Sequence, residues 1–434
     1  MRNSQKFLLL MILARFTCSS AAQTTESVLH RFTEKWDGAV PMAPLISDKD
    51  GNLYGTTLYG GDLRCTFPWP GCGTVFELNR NAEGKWKFRT LYEFHGGLDG
   101  ANPEAGLVFD SSGNLYGTTS LGGNEDVGVM GDGAVFELQH TGNHWSETVL
   151  HRFGGRDGAY PAAPLVWGPD GALYGTTVNG GVHICRAFHL NTAGCGVVFR
   201  LELTSAGWAE TVLHIFKGLD GAEVYAGLKF DAAGNLYGTT WEGGTGGGLW
   251  GGGVIFEMSR SGRRWTETTL YNFPGYLGNP EGEVVIDAFG NLYGATEFGG
   301  DYGYGSVFEL SASGNAWSLT TLHSFDWVDG LAPHAGIVVD SAGNIYGTAI
   351  GSLSGSCLHG CGLVYMLDKS NAWAETVLHS FEGGRDGAYP WANLLLDNHG
   401  DLYGTTAYGG DENCTAQGFP GCGTVYEIRR HQKH

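Results

Sequence analysis

The sequence predicts an all-β fold: a seven-bladed β-propeller of four-stranded antiparallel blades, closed by the N-terminal strand completing the last blade. Three observations predict it. Leu-Tyr-Gly-Thr-Thr, or a close variant, recurs seven times, starting at Leu53, Leu115, Leu173, Leu236, Leu292, Ile345 and Leu402, 53–63 residues apart. That period marks an array of equivalent units. Each unit carries four short runs rich in branched and aromatic residues, separated by turn-formers, as a propeller blade requires. The two ends are complementary: Glu26-Ser-Val-Leu-His-Arg-Phe32 is a fourth-strand segment with no strands before it, and the last unit stops after its third run. Letting the first segment complete the last blade closes the ring and hides its sheet edges.

Met1 to Ala22 reads as a secretory signal peptide, with Arg2 and Lys6 as the positive start, Phe7 to Ala14 as the apolar stretch and Ser20-Ala21-Ala22 as the cleavage site. The apolar run is too short to span a bilayer and no other approaches that length, so no membrane span is expected. The propeller is expected over residues 23–428, followed by a basic tail, 429–434. The protein is expected to be secreted, extracellular or periplasmic, and monomeric. Its net charge of −20 repels phosphate backbones and argues against nucleic acid as a partner.

The second unit is the template for the strands. Strand A, innermost, is Ala105 to Asp110; a turn leads into B, Asn114 to Thr119; a glycine-rich loop precedes C, Gly133 to Leu138; and D, outermost, is Trp145 to Phe153. The A-to-B turn repeats Asp-x-x-Gly-Asn, and its first copy, Asp48-Lys-Asp50-Gly-Asn52, resembles the opening of a calcium loop. Asp at the first position and Gly at the fourth also suit an ordinary tight turn, and only the first copy has a second carboxylate, which favours the turn. In D, a tryptophan stands six residues before a histidine or tyrosine, as in Trp145/His151 and Trp86/Tyr92. Free exchange of His with Tyr points to a packing group with one hydrogen bond rather than a metal ligand or base.

Eight of the nine cysteines follow the signal segment and fall into four local pairs, Cys65/Cys72, Cys185/Cys195, Cys357/Cys361 and Cys414/Cys422. Even number, local spacing and a signal peptide together imply disulfides. Zinc is the rival at Cys357-Leu-His-Gly-Cys361, which lacks a fourth ligand.

Asn-Leu-Tyr-Gly-Thr-Thr, a Gly-Gly loop and Gly-Thr-Val-Phe-Glu-Leu, recurring in that order, resemble the GloVer (Gloeo_Verruco) tandem repeat of secreted bacterial proteins. The resemblance covers residues 26–428 and implies an exported protein. It transfers no activity, catalytic residue or cofactor.

The D-to-A and B-to-C loops emerge on one face, where length, aromatics and all four cysteine pairs concentrate. The D-to-A loops repeat an aspartate, Asp37, Asp99, Asp157, Asp220, Asp329 and Asp386, absent in the fifth unit. These carboxylates either line the channel mouth and attract a cation or cap their own turns; repetition favours the turns. Function is expected in what differs between blades: Trp69, Trp241, Trp250 and Tyr304, with Phe67, Phe188, Tyr302 and Phe419, in B-to-C loops, and Tyr160, Tyr389 and Trp391, with Tyr225 and Tyr276, in or after D-to-A loops. Aromatic faces beside carboxylates suit stacking on sugar rings and also suit protein partners. The leading reading is therefore a binding module for extracellular glycan or protein, with no catalytic residue, metal or cofactor assigned. The alternative is a carbohydrate-active hydrolase or lyase using Glu104, Glu223, Glu281 or Glu283 near the channel mouth, with His183, His189 or His334 as a base.

Overall fold

Leu-Tyr-Gly-Thr-Thr forms the second strand of every blade, five residues buried throughout between the neighbouring sheets. Its central glycine is set by the ring opposite. Gly55 pairs directly with Phe76 of strand C, and a Cβ on Gly55 would lie 2.6 Å from that ring. The same pairing recurs in each blade, up to Gly404 with Tyr426. The motif is thus a slot for an aromatic side chain, and that ring in turn faces the preceding blade.

The computed structural model describes residues 24–65, 70–81, 83–124, 131–142, 144–181, 185, 194–247, 251–275, 277–314, 316–353 and 355–430. The signal segment, Phe67, Trp69, His183, Phe188, His189, Trp250, Tyr276 and residues 431–434 lie outside the described residues. Blades 1 to 7 are centred on B strands Leu53–Thr57, Leu115–Thr119, Leu173–Thr177, Leu236–Thr240, Leu292–Thr296, Ile345–Ala349 and Leu402–Thr406. Each is a four-stranded antiparallel sheet in the order A-B-C-D. Strand A contributes only two paired residues, such as Val108–Phe109 where six were expected, because the preceding residues turn into the channel mouth. Among the described residues no helix is long and apolar enough to cross a membrane.

Blade 7 takes its D strand from the N-terminus. Thr24–Arg31 pairs antiparallel with Thr424–Arg430, Thr24 facing Arg430 and Arg31 facing Thr424. Strand C of this blade runs through Arg429 and Arg430, so the expected tail begins inside the sheet. Every D strand carries a bulge against C, and the extra residue is a leucine each time, Leu29 in blade 7 and Leu91 in blade 1. The bulge adds twist and turns the end of D towards the next blade.

What the bulge delivers is a phenylalanine. Just beyond each D strand, Phe32, Phe94, Phe153, Phe216, Phe273, Phe325 and Phe381 meet the C-strand ring of the following blade edge to face, with centroids 5.1–5.6 Å apart. Such pairs contribute about 0.5–1.5 kcal/mol each beyond the area they bury.

Two hydrogen-bond stitches run beside this ring of aromatics. A B-strand threonine donates to the A segment of the next blade, Thr56 to the Ala105 carbonyl in one and Thr405 to the Ala43 carbonyl across the closure. At one equivalent position of each D-to-A loop a non-glycine residue adopts a left-handed conformation: Val40, Asn102, Tyr160, Glu223, Asn279, Ala332 and Tyr389, with φ of 51–60°. Its N–H donates to the stretch before strand C of the preceding blade, as Val40 does to the Cys422 carbonyl and Asn102 to the Cys72 carbonyl. In six of the seven blades a proline follows, and it lies against a glycine: a Cβ on Gly423, at φ +97°, would fall 2.5 Å from Pro41 Cδ and 2.4 Å from the Thr406 carbonyl oxygen.

Gly423→Ala is therefore expected to cost about 2–4 kcal/mol, adding overpacking to left-handed strain. Gly51→Ala, at φ +79° with open space around it, should cost only the strain, about 1–2 kcal/mol. Equilibrium denaturation of the two variants separates these values, and equal costs would contradict the packing argument.

Candidate functional site

The repeated aspartates and the repeated histidines are each other's partners. His30, His151, His214 and His323 meet Asp37, Asp157, Asp220 and Asp329 at 3.0–3.2 Å through Nε2, and the Tyr92 hydroxyl donates to Asp99 at 3.1 Å. The same carboxylates accept backbone N–H groups of their own turns, Gly154 on Asp157 and Lys217 on Asp220. The A-to-B aspartates are likewise committed: Asp110 accepts from the backbone of Ser112 and Asn114 and from the Asn114 side chain. Both sets build turns.

A glutamate from the following D strand joins several of these pairs at the blade interface, Glu210 beside His151 and Asp157, and Glu267 beside His214 and Asp220. Blade 5 has Leu319 at that position, and the loop that enters blade 5 from blade 4 is the one that lacks the aspartate. Blade 1 has Phe88, which stacks on His30 at 3.9 Å.

Two residues beyond the left-handed position, each blade sends one side chain to the channel mouth: Met42, Glu104, Ala162, Tyr225, Glu281, His334 and Trp391. These seven positions are structurally equivalent and chemically all but unalike. Two residues further on, a throat of Pro44, Gly106, Pro164, Gly227, Glu283 and Asn393 narrows the channel. A Cβ on Gly106 would lie 2.8 Å from Pro44 Cγ and 3.3 Å from Pro164 Cγ. Glu283 is neutralised by Lys229, and Asn393 accepts from the Gly336 N–H. The resulting cavity holds about 280 Å³.

Burial raises the Glu104 carboxyl to about 7, against hydrogen bonds from Tyr160 and Ser120, and its Oε1 has no partner among the described residues. Across the mouth, Glu281, Glu297 and His334 bring one ligand atom each within 4.8 Å of one another. His334 Nδ1 is hydrogen-bonded to Glu281, its Nε2 faces Glu297 Oε1 at 3.4 Å, and the Trp241 indole donates to Glu297 Oε2 at 2.9 Å. Burial alone would lower the His334 pKa, but Glu281 and then Glu297 outweigh it and hold it above its ordinary value.

Beside the mouth, blades 5, 6 and 7 form an aromatic cleft of about 520 Å³. Tyr304 and Trp327 meet edge to face at 5.2 Å on one wall, and Tyr408 and Phe419 lie 4.6 Å apart on the other. Tyr389 and Trp391 form the inner end, 6.4 Å apart, with the Tyr389 hydroxyl on the Leu358 carbonyl. Trp391 lines both cleft and channel mouth.

Of the candidates read from the sequence, Tyr304, Tyr389 and Trp391 come together in this cleft, with Phe419. Trp241 and Tyr160 instead hold the carboxylates Glu297 and Glu104. Glu104 and Glu281 reach the mouth, whereas Glu223 is buried at its left-handed position, close to Glu242. The sequence reading missed Trp327, Tyr408 and Glu297. Glu297 follows the B motif directly, where the other blades have Leu58, Ser120, Val178, Trp241, Ile350 and Ala407; that variability at a fixed offset was the available signal.

The four predicted disulfides are all present, with Cα atoms 4.9–5.7 Å apart, at the roots of the B-to-C loops of blades 1, 3, 6 and 7. The second cysteine of each offers its carbonyl to the left-handed residue of the next blade, Cys361 to Tyr389 and Cys195 to Glu223. The bridges thus brace the loops that carry the mouth.

These features define a closed seven-bladed β-propeller with one elaborated face. The chain belongs to the Gloeobacter/Verrucomicrobia repeat family, which matches residues 15–188 and 187–416. No match is found among curated proteins. Solved structures match the chain at low identity. A protein described as a candidate 6-phosphogluconolactonase from Bacteroides uniformis is 14% identical, with a TM-score of 0.48 over 76% of this chain and 84% of that one. The PQQ-bound aldose sugar dehydrogenase from Streptomyces coelicolor is 12% identical, with a TM-score of 0.41 over 94% and 99%.

The interface glutamates set a pH dependence. Burial raises Glu147, Glu210 and Glu375 from 4.5 to about 7, aided by Asp99, Asp157 and Asp329. The folded chain keeps these protons where the unfolded chain has released them. Their stabilisation is complete below pH 4.5 and is lost as pH rises through about 7. The thermal midpoint should fall between about pH 5 and 7.5, and fall less in the Glu147→Gln/Glu210→Gln/Glu375→Gln variant. A wild-type midpoint that is flat or rising across that window contradicts this assignment.

Proposed function

We propose that the protein is a secreted carbohydrate-binding module whose site is the aromatic cleft of blades 5 to 7 together with the channel mouth. The observation that carries this reading is the continuity of the two through Trp391. Aromatic faces cover the C–H faces of sugar rings, and the mouth supplies groups for their hydroxyls. Trp391 Nε1 and Glu104 Oε1 are a buried donor and a buried acceptor with no partner among the described residues. Export is supported by the signal-like Met1 to Ala22 and by four disulfides, which persist in oxidising compartments.

A carbohydrate-active hydrolase or lyase is the second reading, favoured by the acidic side chains at the mouth. Paired-carboxylate hydrolysis needs the two acids to flank the scissile bond. Here Glu281 and Glu297, which bring a carboxylate oxygen each within 4.8 Å of the other, have the His334 imidazole between them. Binding is the better-supported reading.

A panel of neutral oligosaccharides, chosen from a glycan array and titrated calorimetrically, tests it. Trp391→Ala or Tyr389→Ala should weaken binding by about tenfold or more, about 1.4 kcal/mol. Phe289→Ala, at a fully exposed A-to-B turn on the opposite face, should leave it unchanged. An array with no hits, or full affinity in both cleft variants, removes the proposal.

A further inference from the structure

The Glu281–Glu297–His334 cluster differs from the glutamate–histidine–aspartate clusters at the blade interfaces in one decisive respect. At the interfaces, the histidine Nε2 is spent in a hydrogen bond of 3.0–3.1 Å to its aspartate. At the mouth, His334 Nε2 and Glu297 Oε1 face each other at 3.4 Å, longer than the usual hydrogen bond. That spacing is close to the edge of a tetrahedron whose centre lies about 2.0–2.1 Å from each corner, the bond lengths of zinc to nitrogen and oxygen.

The surroundings match a metal's outer shell. Metal-bound histidines donate their other ring N–H to a carboxylate, and His334 Nδ1 is bonded to Glu281. Metal-bound carboxylates are in turn hydrogen-bonded, and Trp241 holds Glu297 Oε2, leaving Oε1 turned to the histidine. The side chains are 12–30% exposed, so two carboxylates and an imidazole share one partly desolvated place. His334 and Glu281 line the channel cavity and Glu297 lines the adjoining aromatic cleft, so the cluster sits where the two meet.

We propose that His334 Nε2 and Glu297 Oε1 are the inner ligands of a divalent-metal site at the channel mouth, with Glu281 orienting the imidazole and Trp241 the carboxylate. The mixed imidazole and carboxylate donors favour zinc or a similar transition metal over calcium, which takes oxygen alone. The cluster occurs in one place because it combines blade-specific positions of blades 5 and 6.

Untagged, chelator-treated protein titrated with Zn2+ and, separately, Ca2+ tests the site by calorimetry and by metal content after dialysis. One Zn2+ per chain is expected, with at least tenfold weaker binding in His334→Gln and in Glu297→Gln. Trp241→Phe, which keeps both ligands, should lose about 10–100-fold through the carboxylate it no longer orients. His214→Gln, at an interface cluster, should bind as wild type does. Near-UV circular dichroism confirms that each variant is folded. The proposal is overturned if wild type takes up no stoichiometric Zn2+, if Ca2+ binds in its place, if folded His334→Gln and Glu297→Gln keep full affinity, or if His214→Gln abolishes binding.

Discussion

The edge-to-face aromatic pair between neighbouring blades is the contact on which the architecture depends. It requires a glycine in strand B to make room for the C-strand ring, a leucine bulge in strand D to turn the chain inwards, and a phenylalanine just after the bulge. Each of these is a fixed element of the repeated sequence, and each has meaning only through the others. The pair recurs at all seven interfaces of the closed ring, because every blade presents a phenylalanine on one side and a C-strand ring on the other. The Phe32–Phe76 and Phe381–Tyr426 pairs flank the blade built from both chain ends.

A scaffold so regular frees particular positions for chemistry. The left-handed residue of each D-to-A loop is held by backbone hydrogen bonds on both sides, so its side chain and the one two places on vary without cost to the ring. That is why the seven mouth positions range from methionine to glutamate to tryptophan. The disulfides act on the same loops: the carbonyls of their second cysteines anchor the backbone of blades 1, 2, 4 and 7 where the site residues emerge. Rigidity and variety are thus supplied by different parts of one short segment.

Fold and closure were legible because they are written in periodic residues. Strand type, blade number, the complementary ends and the cysteine pairing all follow from local spacing. The aspartates and histidines were read as turn and packing residues, and as separate features; the structure pairs them across six or seven residues, which spacing alone does not reveal. The site was legible only in part. Tyr304, Tyr389 and Trp391 stood out as aromatics in loops, whereas Glu297 lies one residue and Tyr408 two residues beyond strand B, at the edge of the repeated motif. Glu281 and His334 lie 53 residues apart and meet only because adjacent blades bring equivalent loop positions together. Function of this kind is encoded in differences between aligned repeats, and reading it requires knowing which offsets face the channel.

Ring closure by the first strand is the claim most directly open to measurement. A chain lacking residues 1–32 should lose its cooperative thermal transition or associate through the open edge of blade 7, and a peptide spanning residues 24–32 added in trans should restore a monomer with the wild-type transition. A truncated chain that remains monomeric and melts at the wild-type temperature would contradict the account.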